Sequence, residues 1–144
     1  MSLEQIRATT GRVLGVDFGE ARTGLAVSDR SRLLASGLGN IPGGGLEKTA
    51  ERILAVAEEQ GAVAVILGLP VNMNGTEGPR AARARELAAL LAAHLPVHLM
   101  DERMTTMAAA RFLNETNTRG KKRKGVIDTL SAQIILQNAL DALR

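Results

Sequence analysis

Cysteine, tryptophan and tyrosine are absent from the 144 residues, and phenylalanine occurs twice, at Phe18 and Phe112. Without cysteine there are neither disulfides nor thiolate metal ligands, so nothing demands an oxidising compartment and a cytoplasmic location is expected. Two aromatic rings are too few for the stacking platforms on which common single-strand binders hold successive bases. Long apolar runs are also missing. The longest uncharged stretch, Leu87 to Met100, contains Pro96 and falls short of the roughly 20 residues that a membrane span needs. Residues 1–11 carry Glu4 and Arg7 and no apolar core, so they do not read as a signal peptide and are expected to form a loose leader.

The chain does have enough hydrophobic residues, 45% of the total, to fill one core, and its length suits a single domain over 1–144. The net charge of +3 is unevenly placed. Arg119, Lys121, Lys122, Arg123 and Lys124 put five cations within six positions, and the rest of the chain is net negative. That concentration points to a local contact for a polyanion.

Hydrophobic patterning predicts short strands over Arg12–Asp17 and Gly24–Ser28 and a third extended segment over Leu33–Ile41, an antiparallel meander. Leu46, Ala50, Ile53, Leu54 and Ala57 then recur at helical spacing up to Gly61. Ala62–Leu69 reads as a strand covered on both faces. A polar loop over Pro70–Gly78 leads to a second helix from Pro79 to Leu95, stopped by Pro96, and Val97–Asp101 reads as another strand. Thr105 or Thr106 is placed to cap a helix running to Leu113. Residues 114–125 lose all periodicity and are expected to be a mobile basic loop, and a buried helix closes the chain over Val126–Leu143. The pattern alone gives a mixed α/β class. Antiparallel strands followed by parallel ones are what a ribonuclease H-like fold requires.

Acidic residues fall where the chain changes element: Asp17 at a strand end, Asp101 and Glu102 at another, and Asp128 at the start of the closing helix. Asp17 ends an apolar run and is followed by a turn containing Gly19, so it is a costly residue to place there unless a cation pairs with it. Carboxylates drawn from separate elements are what hard divalent cations need, and Mg²⁺ in particular takes oxygen ligands while sharing its shell with water and a substrate phosphate. Asp101 and Glu102 are adjacent in an extended segment, so they point to opposite faces and only one easily reaches such a site. The glycines at 37, 39, 43, 44 and 45 do not make a nucleotide fingerprint, because Pro42 stands where the third glycine belongs and Lys48-Thr49 follows Glu47.

Four ordered motifs resemble the YqgF/RuvX family: Gly15-Val16-Asp17-Phe18-Gly19 through Gly24 to Asp29, Gly68-Leu69-Pro70 through Asn74 to Pro79, Asp101 to Thr106, and Lys124-Gly125-Val126-Ile127-Asp128 with Ala132 to Gln137. The resemblance implies a ribonuclease H-like fold with a mixed five-stranded sheet and helices on both faces. It also implies a metal-dependent nuclease using Mg²⁺ or Mn²⁺, assigned to 5′ processing of pre-16S rRNA and earlier named for Holliday junction resolution. Its acidic site carries over to Asp17, to Glu102 with Asp101 as substitute, and to Asp128. The strand Ala62–Leu69 carries no acid, whereas the better-known junction resolvases place a carboxylate on the corresponding strand. Asn72, Asn74 and Arg103 are the candidates for positioning substrate, with Arg119, Lys121, Lys122, Arg123 and Lys124 for the phosphate backbone. Asn74 departs from the Asp that many members carry.

Two other readings compete. An ATPase of the actin-like or sugar-kinase-like type begins with a similar Asp-x-Gly turn, but clamps nucleotide between two such domains. A non-catalytic RNA-binding assembly factor would use the basic run and have no need of the acids. Oligomeric state stays open: a homodimer suits a two-fold junction, yet no apolar stripe is surplus to the core.

Overall fold

A central strand explains why the first apolar run is buried on both sides. In the computed structural model, which describes residues 3–103 and 120–144 (the helical backbone alone for 120–129), β1 (Arg12–Asp17) lies in the middle of a five-stranded sheet. It pairs antiparallel with β2 (Arg22–Ser28), which pairs antiparallel with β3 (Ala35–Pro42). On its other side β1 runs parallel to β4 (Ala62–Leu69), and β4 runs parallel to β5 (Val97–Asp101). The order is therefore β3-β2-β1-β4-β5. The short turns of the meander permit the antiparallel pairs, and the parallel pairs are reached through α2 (Leu46–Gln60) and α3 (Pro79–Ala92).

The helices α2 and α3 cover one face. Leu14, Val16, Val65 and Leu67 from the sheet meet Ala50, Ile53, Leu87 and Leu91 there, all buried. Gly61 ends α2 in the left-handed conformation (φ 69°), with its N–H donating back to the carbonyls of Ala57 and Glu58, and β4 starts at the next residue. Pro79 opens α3, where its missing N–H costs nothing.

The opposite face is covered by α4 (Gly120–Leu143) and by α1 (Leu3–Arg7). Ala132, Ile135, Leu136, Ala139 and Leu140 recur at helical spacing and pack on Val13, Ala64 and Ile66. Helix α4 also dresses the start of edge strand β3: Gln133 Nε2 donates to the Ala35 carbonyl at 3.1 Å, and the Ala35 N–H donates to Gln137 Oε1 at 2.9 Å. Such cover removes backbone groups that would otherwise invite another strand.

Two expectations are corrected. The expected loose leader over 1–11 is, from Leu3 on, held in place: Ile6 is fully buried against α4. Arg7 donates to the carbonyls of Ala142 and Leu143, and Arg32 donates to the carbonyls of Ile6 and Gly11. Arg7 thus ties the leader to the end of α4, and Arg32 satisfies carbonyls of the leader itself, which composition alone does not reveal. The closing helix begins at Gly120 and not at Val126, so 120–125 of the expected basic loop belong to its first turns. The expected helix running to Leu113 and residues 114–119 lie outside the described residues. No described helix is long and apolar enough to cross a membrane.

Candidate active site

Strand alternation sorts the acids by face. Val13 and Gly15 of β1 point towards α4, so Asp17, two residues on, belongs to that face at the strand's C-terminal end. Val16 pairs with Leu67 and Gly68 pairs with Met100, which sets Asp17, Gly68 and Met100 at one level of the sheet. Asp17 is half-buried.

The pair at the end of β5 divides as adjacent residues of an extended chain must. Asp101 follows Leu99, which packs on the α2 and α3 side. Asp101 is exposed and engaged by Arg103, whose Nε lies 2.9 Å and Nη2 2.6 Å from Oδ2. The Arg103 side chain and then its backbone N–H hold the Asp101 carboxyl below its ordinary pKa, and Asp101 in turn raises that of Arg103. Glu102 is only 9% exposed. Its N–H donates to the Leu69 carbonyl at 3.1 Å, and its carboxylate lies over Gly68, where an added Cβ would sit 2.5 Å from Oε1 and 2.7 Å from Ile135 Cδ1. Glu102 thus reaches across β4 on the side that faces α4.

Gly68 heads one of the family motifs, but the sequence reading gave it no role in the site. The available signal was a glycine inside a strand of Val, Ile and Leu, which marks a close approach by something else. Here the visitor is a carboxylate from the next strand. β4 carries no acid here, and the residue that follows β5 occupies the space above it.

The turn after Asp17 owes its glycines to its own backbone. An added Cβ at Gly19 would fall 2.4 Å from the Arg22 carbonyl oxygen, and one at Gly43 would fall 2.2 Å from that of Glu20. The Gly43 N–H donates to the Ala21 carbonyl at 3.0 Å, so the end of β3 clasps this turn and fixes where β1 releases Asp17.

The loop candidates have local tasks. Asn72 Nδ2 donates to Thr76 Oγ1 at 3.1 Å, and Thr76 donates to Asn74 Oδ1 through both its N–H (3.1 Å) and its hydroxyl (2.6 Å). These bonds close the turn between Val71 and Glu77, which bridge one another. Asp128 lies on α4 one helical turn ahead of Ala132. Its side chain, those of Lys121, Lys122, Arg123 and Lys124, and all of Arg119 lie outside the described residues. Among the described residues no three His, Asp or Glu side chains gather closely enough to hold a metal ion.

A model of the RuvX family, described as Holliday junction resolvase, matches residues 11–142. The chain belongs to the RuvX family. Curated relatives agree: proteins named "Putative pre-16S rRNA nuclease" from Streptomyces avermitilis and Rhodopseudomonas palustris are 42% and 45% identical to it, each over 93% of this chain and over 88% and 83% of their own. Membership makes this RuvX-family chain a nuclease, a hydrolase acting on phosphodiester bonds. Solved structures agree on its ribonuclease H-like fold. RuvC of T. thermophilus in complex with a Holliday junction substrate matches with a TM-score of 0.53 at 16% identity, over 87% of this chain and 91% of that one. The large terminase nuclease of phage G20c with bound zinc matches at 0.54 and 16%, over 86% and 80%.

Proposed function

We infer that this chain cuts precursor 16S ribosomal RNA in the cytoplasm by divalent-metal-dependent hydrolysis, with Asp17 and Glu102 at the centre of its site. The observation that carries the reading is the placing of these two carboxylates on the same sheet face, from strands that β4 separates, with Gly68 leaving room for one of them. The donor set fits a hard ion. It is all oxygen, and among the described residues the protein does not complete a cage, which suits an ion that keeps water and phosphate in its shell.

Asp17 and Glu102 would hold Mg²⁺ or Mn²⁺, with Asp128 as the third ligand. A bound ion there supplies Lewis acidity, activating water as the nucleophile and offsetting charge that builds on the phosphate. The rest falls to the chain. Glu102 is kept in place by its backbone bond to Leu69 and by Ile135 beside it. Arg103 holds Asp101 away from the site, so a single carboxylate of the pair faces the substrate. The cations Arg119, Lys121, Lys122, Arg123 and Lys124 bind the phosphate backbone without reading bases.

The test compares Asp17→Asn and Glu102→Gln with the parent chain on a precursor 16S transcript in Mg²⁺ and Mn²⁺. Both variants should fold and lose cleavage, while Asp101→Asn keeps it; an active Asp17→Asn overturns the assignment. The family description favours a second substrate, branched DNA, and a four-way junction included in the same assay decides between them.

A further inference from the structure

We propose that Arg80 and Arg83 of α3 form a second phosphate-binding point, on the far side of the Asp17 turn from α4, that holds the RNA strand next to the bond being cut. This rests on the nuclease reading and gives its substrate a path across the end of the sheet.

Phe18, Gly19, Glu20, Arg80 and Arg83 line one small cleft of about 60 Å³. It begins at the residue after Asp17, so a strand whose scissile phosphate lies at Asp17 passes it within its neighbouring nucleotides. The cleft is too small for a nucleobase and suits a phosphate group. Phe18 gives it an apolar side packed against the core, and the Gly43 N–H, donating to the Ala21 carbonyl at 3.0 Å, ties down the turn that carries Gly19 and Glu20.

Both arginines are exposed, and neither is paired with Glu20 or with any other acid among the described residues. Arg85, two residues after Arg83, is different: it forms a two-point ion pair with Glu77 at 2.6 and 2.8 Å. Arg80 also stands in the first turn of its helix, at the end that disfavours a cation, and Arg83 follows in the next turn. The first turn of α3 has no acid to balance them, and the N-terminus of a helix repels cations. Two unpaired guanidinium groups lining one cleft, the first of them held against the helix dipole, are poorly explained by stability and well explained by an anionic ligand.

The test is equilibrium binding of a labelled single-stranded RNA to the full chain in EDTA, where cleavage is off, across a salt series. Each phosphate contact contributes about 0.7 to the slope of log affinity against log salt for single strands. Arg80→Gln with Arg83→Gln should therefore flatten the slope by about 1.4, and Arg85→Gln should leave it unchanged. In Mn²⁺ the double variant should raise KM with kcat nearly constant, and its thermal midpoint should not fall, since repulsion at the helix end is relieved. An unchanged slope, an equal loss in Arg85→Gln, or a lowered midpoint overturns the proposal. Failure of the nuclease reading looks different: RNA is bound with the arginine-dependent slope but is cut in no metal.

Discussion

The two faces of the sheet are built on different principles. On the α2 and α3 face, strand side chains of ordinary size, Leu14, Val16, Val65 and Leu67, fill the space up to Ile53, Leu87 and Leu91. On the α4 face two central positions are empty of side chain. A Cβ on Gly15 would fall 2.7 Å from Leu136 Cβ and 2.9 Å from the Ala132 carbonyl oxygen, and one on Gly68 would meet Glu102 and Ile135. One face stabilises by area buried. The other gives up side-chain volume at these two positions so that a helix and a carboxylate come close to the sheet. Chemistry is expected where the second principle holds, because a site needs backbone-level proximity that large side chains prevent.

Substitution on each face separates the two principles. Among substitutions that leave both carboxylates in place, the largest effect on cleavage should come from Gly68→Ala, whose methyl group displaces the Glu102 carboxylate: misplacement by about 1 Å costs roughly 100-fold in rate. Crowding against Ile135 adds a stability loss of about 1–3 kcal/mol, read in a urea titration. If Gly68→Ala cleaves normally, the clearance at Gly68 does not serve Glu102. The reverse signature is expected for Leu87→Ala on the other face. It should lose about 2–5 kcal/mol of stability through the cavity left behind, while kcat measured well below its melting midpoint stays within twofold of the parent. A large fall in kcat there would show that the faces are coupled.

The smallest effect concerns the acid that faces away. Arg103 depresses the Asp101 pKa in the folded chain, so this pair's stabilisation is fully present above the unfolded aspartate value. It is lost as the pH falls through the depressed folded value. Asp101→Asn should therefore lower the thermal midpoint slightly near neutrality and not at all in strong acid, because the pair is exposed and screened by solvent. A melt series across acidic pH checks the sign; a difference that grows as pH falls contradicts it.

Much of this was legible from residue order alone. The continuous apolar run Ala62–Leu69 is β4 to the residue, since a strand covered on both faces has no polar positions to blur its ends. The second helix was expected to run to Leu95 and ends at Ala92, because Pro96 restricts the chain before it. Alternation also placed Asp101 and Glu102 on opposite faces. The rest depended on contacts distant in sequence. Residues 1–11 look polar and loose until Ile6 meets α4, more than 120 positions away. A glycine two residues after Asp17 marks a close approach without naming the visitor, and only the fold shows it to be the Arg22 carbonyl of the chain itself.

The sequence by itself determined the class of fold, the strand and helix order, and which residue types offer hard oxygen ligands and cationic contacts, because periodicity and side-chain chemistry are local properties. The tertiary structure alone decided that Glu102 lies across Gly68 while Asp101 is taken by Arg103. It also decided that Arg80 and Arg83 share a cleft with the turn that follows Asp17. Those facts depend on strand register and helix placement, which are set by burying the whole core at once.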